Sequence, residues 1–259
     1  MKNNNHPHIV WLDKATLPGD IQRPEFAHRW TEHVWTAPDM IAERIEDASI
    51  VVTNKVSLAA EQLRSAKNLR RIVVAATGID HIDQQACKVY DIDVVNVPAY
   101  GAESVAEHAI CLMLALQRHL AFYTAAATNG QWSSSPVFCL HGPRIADLSG
   151  KTLAVVGAGA IGGAVARLGS AFGMQVIFSA RRGQPPKQGE VSLGDAIAMA
   201  DVLSLHIPLT EDTHHLISEK QLRMMKRSAI LINTARGGLV DTQALAQALR
   251  EKRIAGAGL

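Results

Sequence analysis

The chain has 259 residues, enough for one large domain or two of ordinary size. A hydrophobic fraction of 47% with 19% charged residues fits a globular chain with a sizeable core. A formal net charge of +2 supplies no concentrated basic face, so no nucleic-acid partner is expected. The opening MKNNNHPHIV lacks the apolar centre of a secretion signal, and no run approaches the roughly 18 uncharged apolar residues of a membrane span. Cys87, Cys111 and Cys139 are odd in number and widely spaced, which argues against a disulfide framework or a zinc site. The expectation is a cytoplasmic chain with no membrane partner and no metal, its cysteines used for packing.

In chain order, Ile9–Leu12 and Ile50–Thr53 read as strands, Leu58–Ser65 as a helix and Ile72–Ala75 as a strand. Asp80–Val89 reads as a helix with Asp80 and Asp83 as capping groups, and Val94–Val97 as a strand stopped by Pro98. This alternation predicts a parallel sheet in its own right, over 1–98. Ala102–Phe122 follows as one long helix, apolar over too broad a face for a single sheet contact. Gly130–Gly150 is irregular, with Trp132 and Phe138 in exposed positions; it is either an arm toward a partner subunit or a surface loop. From Lys151 the alternation resumes: Leu153–Val156 and Val176–Phe178 as strands, Asp201–His206 as a strand, Glu219–Met225 as a helix. Ile230–Asn233 is then a strand, Thr242–Arg250 a helix behind the N-caps Asp241 and Thr242, and Ile254–Leu259 the start of another strand. The fold class is therefore α/β: two doubly wound parallel-sheet domains, flavodoxin-like and Rossmann, over 1–98 and 99–259, with a cleft between them.

The segment Lys151–Arg182 carries the most chemistry. Gly157, Gly159 and Gly162 fit G-x-G-x-x-G between two β-like runs: one glycine for the tight turn, one for close approach to a pyrophosphate, one for helix–strand packing. The helix they open offers free N–H groups to phosphate. An NAD site would place a carboxylate roughly 20 residues on. Here Ser179-Ala180-Arg181-Arg182 holds none, and two guanidinium groups suit a 2′-phosphate. NADP(H) is expected over NAD(H).

Ligands of a doubly wound sheet sit beyond the carboxyl ends of its strands. Arg236, in Asn233–Gly238, would there face a substrate carboxylate in bidentate fashion and polarise an adjacent keto oxygen; a helix cap or an interdomain ion pair is the alternative. His206 to Thr210 ends another strand, where backbone groups can line the adenosine half. Thr77-Gly78 ends a strand of the first domain and offers amides to the same carboxylate. Glu107-His108 diverge on their helix and are read as structural, His214-His215 and His6/His8 lack further ligands at metal spacing, and Ser133–Ser135 lacks the strained turn of a nucleophile.

Five segments together resemble one family: TGIDHID at Thr77–Asp83, NVPAYGAESVAEHAICLMLALQR at Asn96–Arg118, GAGAIG at Gly157–Gly162, HIPLTEDTHHLI at His206–Ile217 and NTARGGLVD at Asn233–Asp241. In this order and spacing they are similar to the D-2-hydroxyacid dehydrogenases. IVWLDKATLP, TNKVSL and GQWSSSPVFCL resemble the bacterial glycerate dehydrogenase (hydroxypyruvate reductase) branch. The resemblance implies reduction of a small 2-keto acid, hydroxypyruvate or glyoxylate, to the D-2-hydroxy acid. It implies a homodimer through the Ala102–Phe122 helix and the Gly130–Gly150 loop. It makes Arg236 the catalytic, carboxylate-binding arginine and Thr77-Gly78 the carboxylate loop. It makes Gly157, Gly159, Ala160, Ile161, Gly162, Ser179, Arg181, Arg182, His206, Pro208, Thr213, Thr234, Ala235 and Arg236 cofactor contacts. The family's catalytic Glu and His would follow Leu259, so the sequence is read as a piece of a longer enzyme or as a short chain without general acid catalysis. Other readings are a phosphoglycerate, D-lactate or formate type of the same family, and a non-catalytic NAD(P)-sensing protein on the same scaffold.

Overall fold

The computed structural model describes residues 6–19 and 21–259. It divides into two compact units, Met1–Tyr100 and Gly101–Leu259.

The first unit runs β1 (His8–Trp11), β2 (Arg29–Glu32), α1 (Ile41–Ile45), β3 (Ile50–Thr53), α2 (Ala60–Ser65), β4 (Arg71–Val74), α3 (Gln84–Val89) and β5 (Asp93–Asn96). All pairings are parallel, in the order β2-β1-β3-β4-β5, the flavodoxin-like arrangement. Val10, Leu12, Val51, Ile72 and Val74 pack with Ile41, Ile45, Leu63 and Cys87 in one core. β2 and α1 are not evident in the sequence. β2 (RWTE) is a short, charged edge strand, held by register with β1 and by His8 Nε2 at 2.8 Å from Thr31 Oγ1. Asp83, not Asp80, caps α3, accepting from the Ala86 N–H at 2.8 Å, so the helix starts at Gln84.

Beyond the carboxyl ends of β1 and β3, where the strand order reverses, Asp13 is 3% exposed. Its carboxylate accepts from the N–H groups of Asn54 (3.0 Å), Lys55 (2.6 Å) and Val56 (3.3 Å). The concave amide cluster that a flavodoxin-like sheet offers to a ligand at this point is filled by the chain's own anion.

The second unit runs α4 (Ala102–Gln117), α5 (Leu120–Thr128), β6 (Thr152–Val156), α6 (Ala160–Ala171), β7 (Gln175–Ser179), β8 (Glu190–Val191), α7 (Leu193–Met199), β9 (Val202–Leu205), α8 (Glu219–Met224), β10 (Ile230–Asn233), α9 (Thr242–Arg250) and β11 (Gly256–Gly258). Its six parallel strands lie in the order β8-β7-β6-β9-β10-β11, the Rossmann order 3-2-1-4-5-6. β6 is buried on both faces. Leu153 and Val155 join a core with Ala106, Ala109 and Met113 of α4 and Val165 of α6, while Ala154 and Val156 join one with Ile197, Leu222 and Leu245 of α7, α8 and α9. Asp241 caps α9 through the Gln243 and Ala244 amides.

The single helix expected over Ala102–Phe122 is two helices, bent by 64°. The Gln117 carbonyl accepts from the Ala146 N–H at 3.0 Å and His119 takes a left-handed conformation (φ 48°). An external amide and one αL residue stop the helical ladder there. Cys111 and Cys139 are exposed, so only Cys87 is a packing cysteine.

Replacing Asp13 by Ala leaves the Asn54 and Lys55 amides without their acceptor, while the Val56 N–H keeps Thr53 Oγ1. The expected loss is about 2–4 kcal/mol in urea unfolding, smaller for Asp13→Asn, which keeps one acceptor oxygen.

Candidate active site

The Rossmann order reverses between β6 and β9, and the Gly-rich turn and His206 meet at that point. Gly157 has φ +104°, and a Cβ there would lie 2.4 Å from the His206 carbonyl oxygen. A Cβ on Gly162 would lie 1.8 Å from the Gly157 carbonyl oxygen. Both glycines are thus required by the chain itself. Gly159, the N-cap of α6, is different: a Cβ there meets nothing within 4 Å. Its open space is where a phosphate would approach the backbone. Among the described residues, the N–H groups of Ala160, Ile161 and Gly162 have no acceptor, as expected of a first helical turn, and Ala158, Gly159 and Ala160 are exposed.

A cavity of about 830 Å³ extends from this turn along the ends of β6, β7 and β9. Val156, Gly157, Ile207 and Pro208 line one end, and Ser179, Arg181 and Arg182 the other. Ser179 Oγ is buried without a hydrogen-bond partner among the described residues. Ala180, at the position of the missing carboxylate, is 3% exposed. Both arginines are exposed, and Arg182 donates to the Asp212 carbonyl at 3.2 Å. Glu190, Glu211 and Asp212 also line the cavity, so its charge is mixed and the guanidinium groups are confined to the turn after β7. Thr213 braces the opposite wall: its Oγ1 donates to the Pro208 carbonyl at 2.8 Å and accepts from the Thr210 N–H at 2.7 Å.

His206 follows β9, its N–H donating to the Val156 carbonyl at 2.8 Å. Burial pushes its imidazole down to about 4, so the ring is neutral at pH 7. Ser204 Oγ stands 2.8 Å from Nε2. The sequence reading singled out His206 and missed Ser204, although strand periodicity places the two on one face.

The loop after β10 is shaped by Asn233, a second residue the sequence reading passed over. Its Nδ2 donates to the Arg236 carbonyl at 2.9 Å and its Oδ1 accepts from the Ala235 N–H at 3.2 Å. Arg236 is half-buried, with Nη1 donating to the Ala235 carbonyl at 2.9 Å. Thr234 Oγ1 is buried and has no hydrogen-bond partner among the described residues. Asn233, Thr234, Ala235 and Arg236 border a hollow of about 320 Å³.

In the first unit Thr77 and Gly78 follow β4. Thr77 Oγ1 donates to the Val97 carbonyl at 3.0 Å, and the Thr77 carbonyl accepts from Asn96 Nδ2 at 2.7 Å. Among the described residues neither the Thr77 nor the Gly78 N–H donates a hydrogen bond. Glu107 and His108 are exposed and share no hydrogen bond, and His214 and His215 stack at 3.9 Å.

The family pattern described as "D-isomer specific 2-hydroxyacid dehydrogenase, NAD binding domain" matches residues 110–259, more than half of the chain. The chain belongs to that family. It is 42% identical to a glycerate dehydrogenase of Methylorubrum extorquens over 96% of this chain and 79% of the relative. It is 40% identical to a glyoxylate reductase of Thermococcus litoralis over 81% of this chain and 64% of the relative. Among solved structures, a D-lactate dehydrogenase from Aquifex aeolicus, complexed with NAD and lactic acid, superposes with a TM-score of 0.81. It is 29% identical, over 97% of this chain and 76% of that one. An acyclic imino acid reductase in complex with NADPH and D-arginine gives a TM-score of 0.83 at 28% identity, over 97% and 82%. As a family member the chain is an NAD(P)-dependent oxidoreductase of the 2-hydroxyacid dehydrogenase type. The open Gly159, the unpartnered amides of α6 and the orphaned Ser179 hydroxyl fit a dinucleotide.

Gly159→Ala and Gly162→Ala separate the two uses of glycine. Gly159→Ala is expected to melt like the parent chain and to weaken NADPH binding by more than roughly tenfold, read by cofactor fluorescence. Gly162→Ala is expected to lower thermal stability instead, because its Cβ has no room.

Proposed function

We propose that this protein reduces a small 2-keto acid, hydroxypyruvate or glyoxylate, to the D-2-hydroxy acid with NADPH in preference to NADH. The observation that carries the cofactor choice is the turn after β7, where Ala180 is buried and Arg181 and Arg182 border the cavity beside the unpartnered Ser179 hydroxyl. Two guanidinium groups and a hydroxyl donor suit a 2′-phosphate, which a carboxylate would repel. The substrate choice is supported by glycerate dehydrogenase, glyoxylate reductase and hydroxypyruvate reductase relatives at 33–42% identity.

In this reading Arg236 takes the substrate carboxylate as a bidentate partner and polarises the neighbouring keto oxygen. The Thr77 and Gly78 amides are likewise suited to a carboxylate. Asn233 keeps Arg236 in place by fixing the backbone on either side of it. Ala160, Ile161 and Gly162 donate to the pyrophosphate, Pro208 and Thr213 shape the adenosine side, and Thr234 and Ala235 lie toward the nicotinamide. A bound nicotinamide would supply the hydride to C2, and one proton taken up at the C2 oxygen completes the D-2-hydroxy acid.

NADPH oxidation with hydroxypyruvate, glyoxylate and pyruvate, repeated with NADH, tests this function. Arg181→Ser with Arg182→Ser should raise the KM for NADPH roughly ten- to a hundredfold and leave that for NADH nearly unchanged. NADH preferred by the parent chain would overturn the cofactor choice. Arg236→Ala should lower kcat/KM by roughly 10²–10³; unchanged kcat/KM would remove Arg236 from the carboxylate site.

We also propose that α4, α5 and the 130–150 loop form a homodimer contact. Ile110, Leu114, Leu120, Leu168 and Phe172 border an apolar groove of about 540 Å³, and Phe138 in the loop is fully exposed. Light scattering should find a dimer for the parent chain and a monomer for Leu120→Glu.

A further inference from the structure

Ser204 is fully buried on β9, two residues before His206. The contact between Ser204 Oγ and His206 Nε2, 2.8 Å, is the one hydrogen bond either side chain makes among the described residues. A buried hydroxyl must place its proton on an acceptor. If Nε2 carried the imidazole proton it would donate to Oγ, and the hydroxyl proton would be orphaned in the core. If Nε2 carries the lone pair, the hydroxyl donates to it and both groups are satisfied. The second arrangement puts the single proton of the neutral ring on Nδ1. Protonating the ring would place hydrogen on both nitrogens and restore the orphan, so this contact and burial act in the same direction.

Among the described residues Nδ1 has no hydrogen-bond partner, and His206 is half-buried, not sealed in the core. The residue stands at the switch point: its carbonyl is the group a Gly157 side chain would strike, and the next two residues, Ile207 and Pro208, line the cavity. We propose that Ser204 is a positioning residue that fixes His206 as the neutral Nδ1–H tautomer, so that Nδ1–H stands as a donor to an acceptor oxygen of the nucleotide beside the Gly-rich turn. This rests on the dinucleotide reading of the cavity. Neither group acts on the reacting carbonyl. Ser204 acts through His206, and His206 acts on how the nucleotide is held.

The test uses the full chain with ¹⁵N-labelled histidine. Long-range ¹H–¹⁵N spectra of the free protein at pH 7 should show His206 with hydrogen on Nδ1 and a bare Nε2. Ser204→Ala should move the proton to Nε2 and raise the Kd for NADPH roughly three- to tenfold. Ser204→Thr keeps the hydroxyl and should restore both tautomer and affinity. An Nε2–H ring in the parent chain, a tautomer that ignores Ser204→Ala, or a tautomer shift with unchanged NADPH affinity each overturns the proposal. A parent chain that binds neither NADPH nor NADH removes the dinucleotide reading and the Nδ1 role together. The tautomer of the free protein still decides whether Ser204 sets the ring.

Discussion

The second unit depends on one close approach. β6 and β9 are neighbours, and beyond their ends the Gly157 backbone lies against the His206 carbonyl while the first turn of α6 rides over the Gly157 carbonyl. No side chain fits in either gap. This contact sets where α6 begins, and hence where its free amides point. It also brings the residues after β9 to the cavity, and so places His206, Ile207 and Pro208 beside the turn. The parallel pairing on both sides of β6 and its burial on both faces keep the approach from relaxing.

The first unit uses the same topological logic to the opposite end. Its sheet also reverses order, between β1 and β3, and there too backbone amides converge. Asp13 fills that position with a buried carboxylate. An incoming phosphate would have to displace an anion already held by amides from three consecutive residues. The loop after β4 differs: among the described residues its Thr77 and Gly78 N–H groups donate no hydrogen bond.

Much of this was legible in the sequence because the central strands β6, β9 and β10 of the second sheet are buried on both faces. Ile230–Asn233 reads as a nearly continuous apolar run and coincides with β10, and the β-branched run Ile50–Thr53 coincides with β3 in the first sheet. Polar edge strands carry no such signal: β2 (RWTE) and β8 (EV) are defined by their neighbours' register, not by their own pattern. The break between α4 and α5 was invisible for a related reason. Nothing in Leu116–Leu120 disfavours helix; the Ala146 amide, twenty-nine residues beyond Gln117, takes the carbonyl that the next turn needed. At the site, charged and glycine residues announced themselves. Ser204 and Asn233 did not, because their work is to orient a neighbour through one or two hydrogen bonds.

In the proposed reading the two ends of the cavity hold the cofactor by different physics. At the Gly-rich turn the contacts are backbone amides and a neutral histidine, which carry no titrating charge and change little with pH near neutrality. At the turn after β7 they are exposed guanidinium groups in a cavity that also carries Glu190, Glu211 and Asp212. Exposed charges are screened within roughly 8–10 Å at physiological ionic strength, so discrimination between NADPH and NADH should fade as salt rises while binding of the shared dinucleotide persists. The carboxylates sharpen this separation. They offset the guanidinium charge over the cavity as a whole, so the attraction is felt at the 2′ position and not by the pyrophosphate. Grip and selectivity are then set by separate residues, and a change at Arg181 or Arg182 alters which cofactor is chosen without loosening the turn that holds either one.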